Sequence, residues 1–73
     1  MTITDLSSGE TGIILNVESN SDLSNRLREL GLLDGTKIRM VKKAPFKGPV
    51  EIQVGHSYLS IRWDDAKTIH VKS

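Results

Sequence analysis

The side chains able to do chemistry in this 73-residue chain are few: two histidines, one pair of adjacent aspartates, and scattered serines and threonines, with no cysteine. The missing cysteine removes disulfides, thiolate metal sites and thiol nucleophiles. His56 falls in a predicted hairpin turn, and His70 alternates with Ile69 and Val71, which turns it to solvent. No carboxylate lies at a helical or loop spacing that would complete a metal site with either, so both read as exposed, non-liganding residues. Asp64-Asp65 has the form of a carboxylate pair for acid–base work or for a cation. Ala66 and Lys67 follow it, and the stretch reads better as one helical turn, with Asp64 as N-cap and Asp65 at its positive end. No serine or threonine sits in a strand–turn–helix nucleophile motif with a histidine. No glycine-rich stretch ends in the lysine of a phosphate-binding loop. The chain is expected to have no catalytic, cofactor-binding or metal-binding residues and not to be an enzyme.

The most unusual surface stretch is KKAPFKGP, Lys42 to Pro49, in which three lysines surround one phenylalanine between two prolines. The plainer reading is a rigid loop between strands, with Phe46 folded over the edge of the fold. The functional reading is a basic contact site tipped by an aromatic, which prolines would hold at little entropic cost on binding. Lysine beside an edge strand is also an ordinary guard against aggregation.

The elements that carry these residues are short. Five segments alternate or run apolar: Gly12–Val17, Lys37–Lys42, Val50–Val54, Ser57–Trp63 and Ile69–Val71. Strands at such close spacing, punctuated by glycine and proline, predict a small all-β barrel or sandwich. VEIQV and SYLSIRW are joined by Gly55-His56, the signal of a two-residue hairpin loop. That loop sets Ile52 opposite Leu59 and Val50 opposite Ile61, with Gln53 opposite Tyr58 and Glu51 opposite Ser60. A slip of one residue would pair Ile52 with Ser60 and scramble both faces. In the first segment Ile13, Leu15 and Val17 alternate but Ile14 is apolar too, so the strand is buried on both sides or bulged.

One helix is marked, from about Asp22 to Leu30. Ser21 and Asp22 are N-cap candidates. Leu23, Leu27 and Leu30 form one apolar stripe, and Arg26, Arg28 and Glu29 lie off it. Gly31 is the left-handed residue that ends the helix, which makes Leu27 and Leu32 the apolar pair of a Schellman ending. Leu33-Asp34-Gly35 then turns the chain into the next strand.

Hydrophobic residues make up 37% and charged residues 26%, the balance of a small soluble globule. A chain of this length buries only about 60% of its unfolded surface, so its core is marginal. The net charge of +1 does not advertise nucleic acid or an anionic membrane. The N-terminus has neither a basic start nor an apolar run, and no apolar run is long enough to cross a bilayer. One domain over residues 1–73, in the cytoplasm, is the expectation.

The order of these pieces resembles the FeoA family of small ferrous iron transport proteins. The family has a leucine and spaced glycines near its start, here Leu6, Gly9 and Gly12. Its signature R-L-x-E-L-G-L-x-x-G is met by Arg26, Leu27, Glu29, Leu30, Gly31, Leu32 and Gly35. A-P-x-x-x-P follows as Ala44, Pro45 and Pro49, then L-x-[IL]-R as Leu59, Ile61 and Arg62, then Asp65-Ala66 and a final I-x-V at Ile69–Val71. Lys47-Gly48 departs from the small or acidic residue common before the second proline, and Trp63 stands where a basic or polar residue is common. Both departures alter the surface a partner would meet.

The resemblance implies an SH3-like β-barrel of five to six strands with one short α-helix inserted after the first. It also implies a non-enzymatic accessory of bacterial ferrous iron uptake, whose partner is the cytosolic GTP-binding domain of the FeoB-type transporter. The residues expected to meet that partner are Arg26, Arg28 and Glu29 on the helix and Pro45, Phe46 and Lys47 in the proline-bounded loop. Neither nucleic acid nor direct membrane insertion is expected. The alternatives are a small-barrel nucleic-acid-binding module, or the C-terminal domain of an iron-dependent transcription regulator. Three aromatics that form no i, i+2 pair on one sheet face count against the first.

Overall fold

The computed structural model describes residues 1–18 and 21–73, the side chain of Ser21 excepted. Five antiparallel strands form one sheet: β1 (Thr11–Val17), β2 (Lys37–Lys43), β3 (Val50–Val54), β4 (Ser57–Ile61) and β5 (Ile69–Lys72), in the order β4-β3-β2-β1-β5. A helix, α1 (Ser21–Glu29), lies between β1 and β2, and a four-residue turn of helix, α2 (Trp63–Ala66), between β4 and β5. A 3-10 turn at Ile3–Asp5 precedes β1.

The β3–β4 hairpin has the register that its alternation demands: Val50 opposite Ile61, Glu51 opposite Ser60, Ile52 opposite Leu59 and Gln53 opposite Tyr58. β1 carries a bulge. Ile14 pairs with Val71 and Asn16 with His70, which leaves Leu15 as the extra residue. Ile14 is therefore buried while Leu15 is exposed. A second shift, between Met40 and Lys42 against β3, leaves Val41 as the extra residue of β2. The inner residues of all strands enter one core. Ile61 of β4 and Ile69 and Val71 of β5 come from opposite ends of the strand order yet share it, so the sheet coils round on itself into a small barrel. Ile3, Leu6, Leu27, Leu32 and Ala66 complete that core. The outer edge of β5 is covered by the N-terminus: Thr2 bridges His70, and the Val71 N–H donates to the Met1 carbonyl at 2.9 Å.

The end of α1 follows its sequence closely. Gly31 has φ +87°, its N–H donates to the Arg28 carbonyl at 3.0 Å, and the Leu32 N–H donates to the Leu27 carbonyl at 2.9 Å. That is the Schellman pairing, and Leu27 and Leu32 are both buried beside it. Leu30 departs from expectation. The regular helix stops at Glu29, so Leu30 belongs to the cap rather than to the stripe and remains 44% exposed. Asp22 stands inside the first turn, where its charge suits the positive end of the helix, rather than at the cap. The capping role expected of the Ser21 side chain lies outside the described residues.

Two boundaries also move. β4 ends at Ile61 instead of Trp63, because Arg62 is already the extended cap residue of α2, with φ −61° and ψ 145°. Asp64 is accordingly in the first turn of α2 and not its N-cap.

Candidate functional site

The β2–β3 connection is built as a forced turn. The Ala44 N–H donates to the Pro49 carbonyl at 3.0 Å, and the Gly48 N–H to the Pro45 carbonyl at 3.1 Å. The two central residues are Phe46 at φ 58° and Lys47 at φ 57°. Successive left-handed residues give the type I′ pattern, which favours Asn-Gly. A bulky side chain there is an outlier. Gly48, which closes the turn, has no room for a side chain, since a Cβ on it would lie 2.8 Å from the Ala44 Cβ. The turn throws Phe46 outward until it is 100% exposed. The plainer expectation, Phe46 folded over the barrel edge, is thus wrong: the left-handed backbone points the ring away from the sheet.

The remaining expected contact residues do not share one surface. Arg26, Arg28 and Glu29 are all exposed. Arg26 lines a groove with Leu23, Leu30, Ser60, Ile61, Arg62 and Asp65. Lys47 lines another with Gly48, Pro49, Arg62, Trp63 and Asp64. Arg62 belongs to both, so the helix and the loop approach each other across it. Arg28 lies elsewhere, in a groove with Asn16, Val17, Ser24, Leu33 and Asp34. Glu29 lines none of the three. Sequence reasoning did not single out Arg62, which closes the L-x-[IL]-R motif and lines both grooves.

His70 is not simply solvated. Its Nε2 lies 2.7 Å from Glu18 Oε2, across 52 residues of sequence, an ion pair whenever the imidazole is protonated. His56 is exposed in its hairpin turn. Among the described residues no three of His, Asp and Glu converge. One imidazole and one carboxylate are too few for a tight site, because Fe²⁺ prefers several such ligands brought together. Anaerobic calorimetric titration of the isolated chain with Fe²⁺ or Co²⁺ is expected to show no stoichiometric micromolar binding. Binding of that strength, lost on His70→Ala or His56→Ala, would overturn the expectation.

Comparison with known proteins adds four findings. A family model described as the FeoA domain matches residues 1–73. The putative Fe(2+) transport protein A of Campylobacter jejuni is 28% identical over 71 residues, covering 97% of this chain and 96% of the relative. A fusion of Fe(2+) transport protein A with the Fe(2+) transporter FeoB from Porphyromonas gingivalis is 31% identical over 72 residues, covering 99% of this chain and 8% of the fusion. Among solved structures, Stenotrophomonas maltophilia FeoA complexed with zinc, described as a procaryotic SH3 domain protein, superposes with a TM-score of 0.84 at 33% identity, over 99% of this chain and 89% of that one.

Proposed function

Because the chain belongs to the FeoA domain family, we propose that it is a non-enzymatic accessory of bacterial ferrous iron uptake that docks from the cytoplasm onto the GTP-binding domain of a FeoB-type transporter. The observation that carries docking is Phe46. A domain this small gains nothing in folding from an aromatic that touches nothing, least of all in a turn that strains the backbone. Such a side chain gains free energy only when something else covers it. The fused relative supports the identity of the partner, since nearly the whole of this chain matches within a protein that also carries FeoB. Among the described residues no helix is long and apolar enough to cross a membrane, and the transporter supplies that part.

The test is capture of the transporter's cytosolic domain on the immobilised chain, with and without guanine nucleotide. Phe46→Ala is expected to fold and melt like the wild type but to bind about tenfold or more weakly, the loss typical of a central aromatic anchor. Equal capture by the folded variant would place the docking surface elsewhere.

A further inference from the structure

Resting on the docking reading above, we infer that the surface running from Arg26 through Arg62 to Lys47 receives an acidic segment of the partner protein. Arg26 and Arg62 share one groove, and Arg62 and Lys47 share the next. All three are exposed, and among the described residues none of their side chains has an ion pair or hydrogen bond. Two carboxylates border the row. Asp64 is taken up by Lys67 at 3.4 Å, which leaves Asp65, half-buried in the wall of the first groove, as the one acid without a cation. Among the residues lining the two grooves, three unpaired cations stand against one unpaired carboxylate, with Asp22 and Glu29 a helical turn from Arg26 outside the grooves. This makes a local positive strip on a chain whose net charge is only +1. A complementary negative partner is steered to it and fixed in orientation by it.

The apolar groups decide which kind of anion fits. Leu30, 44% exposed, stands at the helix end of the strip, Trp63 half-buried in its second groove, and Phe46 just beyond Lys47 in the adjoining turn. Cations alternating with aliphatic and aromatic surface match a peptide that mixes acidic and apolar residues. A phosphate backbone would leave Leu30 uncovered, and Trp63, half-buried in the groove, offers less of its ring for base stacking than Phe46 does. The strip lies within one short helix, one residue of cap and one turn, so it suits a small, weak and salt-sensitive contact. Arg28, in a groove on another side of α1, has no part in it.

The experiment is an amide-resolved NMR titration of the full chain with three probes: the transporter's cytosolic domain, a synthetic dodecapeptide of Asp, Glu and Leu, and a U12 RNA. Wild type is expected to bind the first two with shifts centred on Arg26, Arg62 and Lys47. Arg62→Glu and Arg26→Glu should each weaken both by about tenfold, and Arg28→Glu by less than twofold. Binding of the transporter domain that Arg62→Glu and Arg28→Glu leave equally intact would overturn this inference while docking stood. Binding of the acidic peptide at the strip, with none of the transporter domain, would uphold the strip and defeat the docking partner. Tighter binding of the RNA than of the peptide, through Arg62, would overturn the protein assignment.

Discussion

Leu27→Ala is expected to lower the stability of this domain by roughly 2–5 kcal/mol, the largest single effect on folding. Leu27 is 3% exposed and belongs to the one core. It is also the residue whose carbonyl receives the Leu32 N–H at the end of α1. A nine-residue helix does not hold itself in water, so α1 stays formed because Leu27, with Leu23 packed against the core, binds it to the barrel. At roughly 0.05–0.15 kcal/mol per residue the whole domain has about 4–11 kcal/mol of stability, and the variant removes a large share of it. Urea unfolding should show a lower midpoint with a nearly unchanged slope. Leu30→Ala is the control. The two leucines share one stripe in the sequence, but Leu30 is 44% exposed and should cost only a few tenths of a kcal/mol. Equal losses from the two variants would mean that the helix does not pack as described.

The second large effect has opposite signs in two measurements. Phe46→Asn with Lys47→Gly supplies the pair that a type I′ turn prefers. Non-glycine residues held in the left-handed region cost of order 1–3 kcal/mol each, and the double variant should recover about 1–3 kcal/mol of that. At about 4–8 °C per kcal/mol for a domain of this size, calorimetry should show a clearly higher melting temperature. Capture of the transporter's cytosolic domain should fall at the same time, because the exposed ring is gone. Lys47→Gly alone keeps the ring and should show part of the thermal gain. A double variant that melts no higher than wild type, or that binds undiminished, would break the link between strain and recognition.

The features legible in the sequence are those fixed by residues close along the chain. The VEIQV–SYLSI register follows from alternation and a two-residue loop, since any slip sets apolar against polar. The Schellman ending follows from Leu27, Gly31 and Leu32 at their fixed offsets. What escaped depends on residues far apart or on backbone departures that composition does not encode. The bulge at Leu15 is set by β5, more than fifty residues away, and Glu18 meets His70 across the same two strands. Leu30 kept the helical period one residue beyond the point where the helix stopped. Phe46 was hardest, because nothing local announces two left-handed residues that are neither glycine nor asparagine. Of the expected contact residues, Pro45, Phe46 and Lys47 lie in the exposed turn and Arg26 faces toward it across Arg62, while Arg28 and Glu29 fall outside that surface. Arg62 is part of a motif in the sequence, but only the fold, which sets α1 and α2 along one groove, gives it a place between helix and loop.

The N-terminal residues that cover β5 have a consequence for how the domain can be joined to other chains. Thr2 and His70 face each other as antiparallel neighbours, and Met1 is tied to Val71, so the first and last segments of the barrel run side by side, roughly 5 Å apart where they pair. Ends that meet can be linked by a few residues without bending either. The fold is therefore a natural plug, suited to insertion into a host loop, to backbone cyclisation and to circular permutation with new ends at the exposed Gly55-His56 turn. A tag or fusion at either end emerges from the same corner, and one that pulls Met1 away bares the edge of β5.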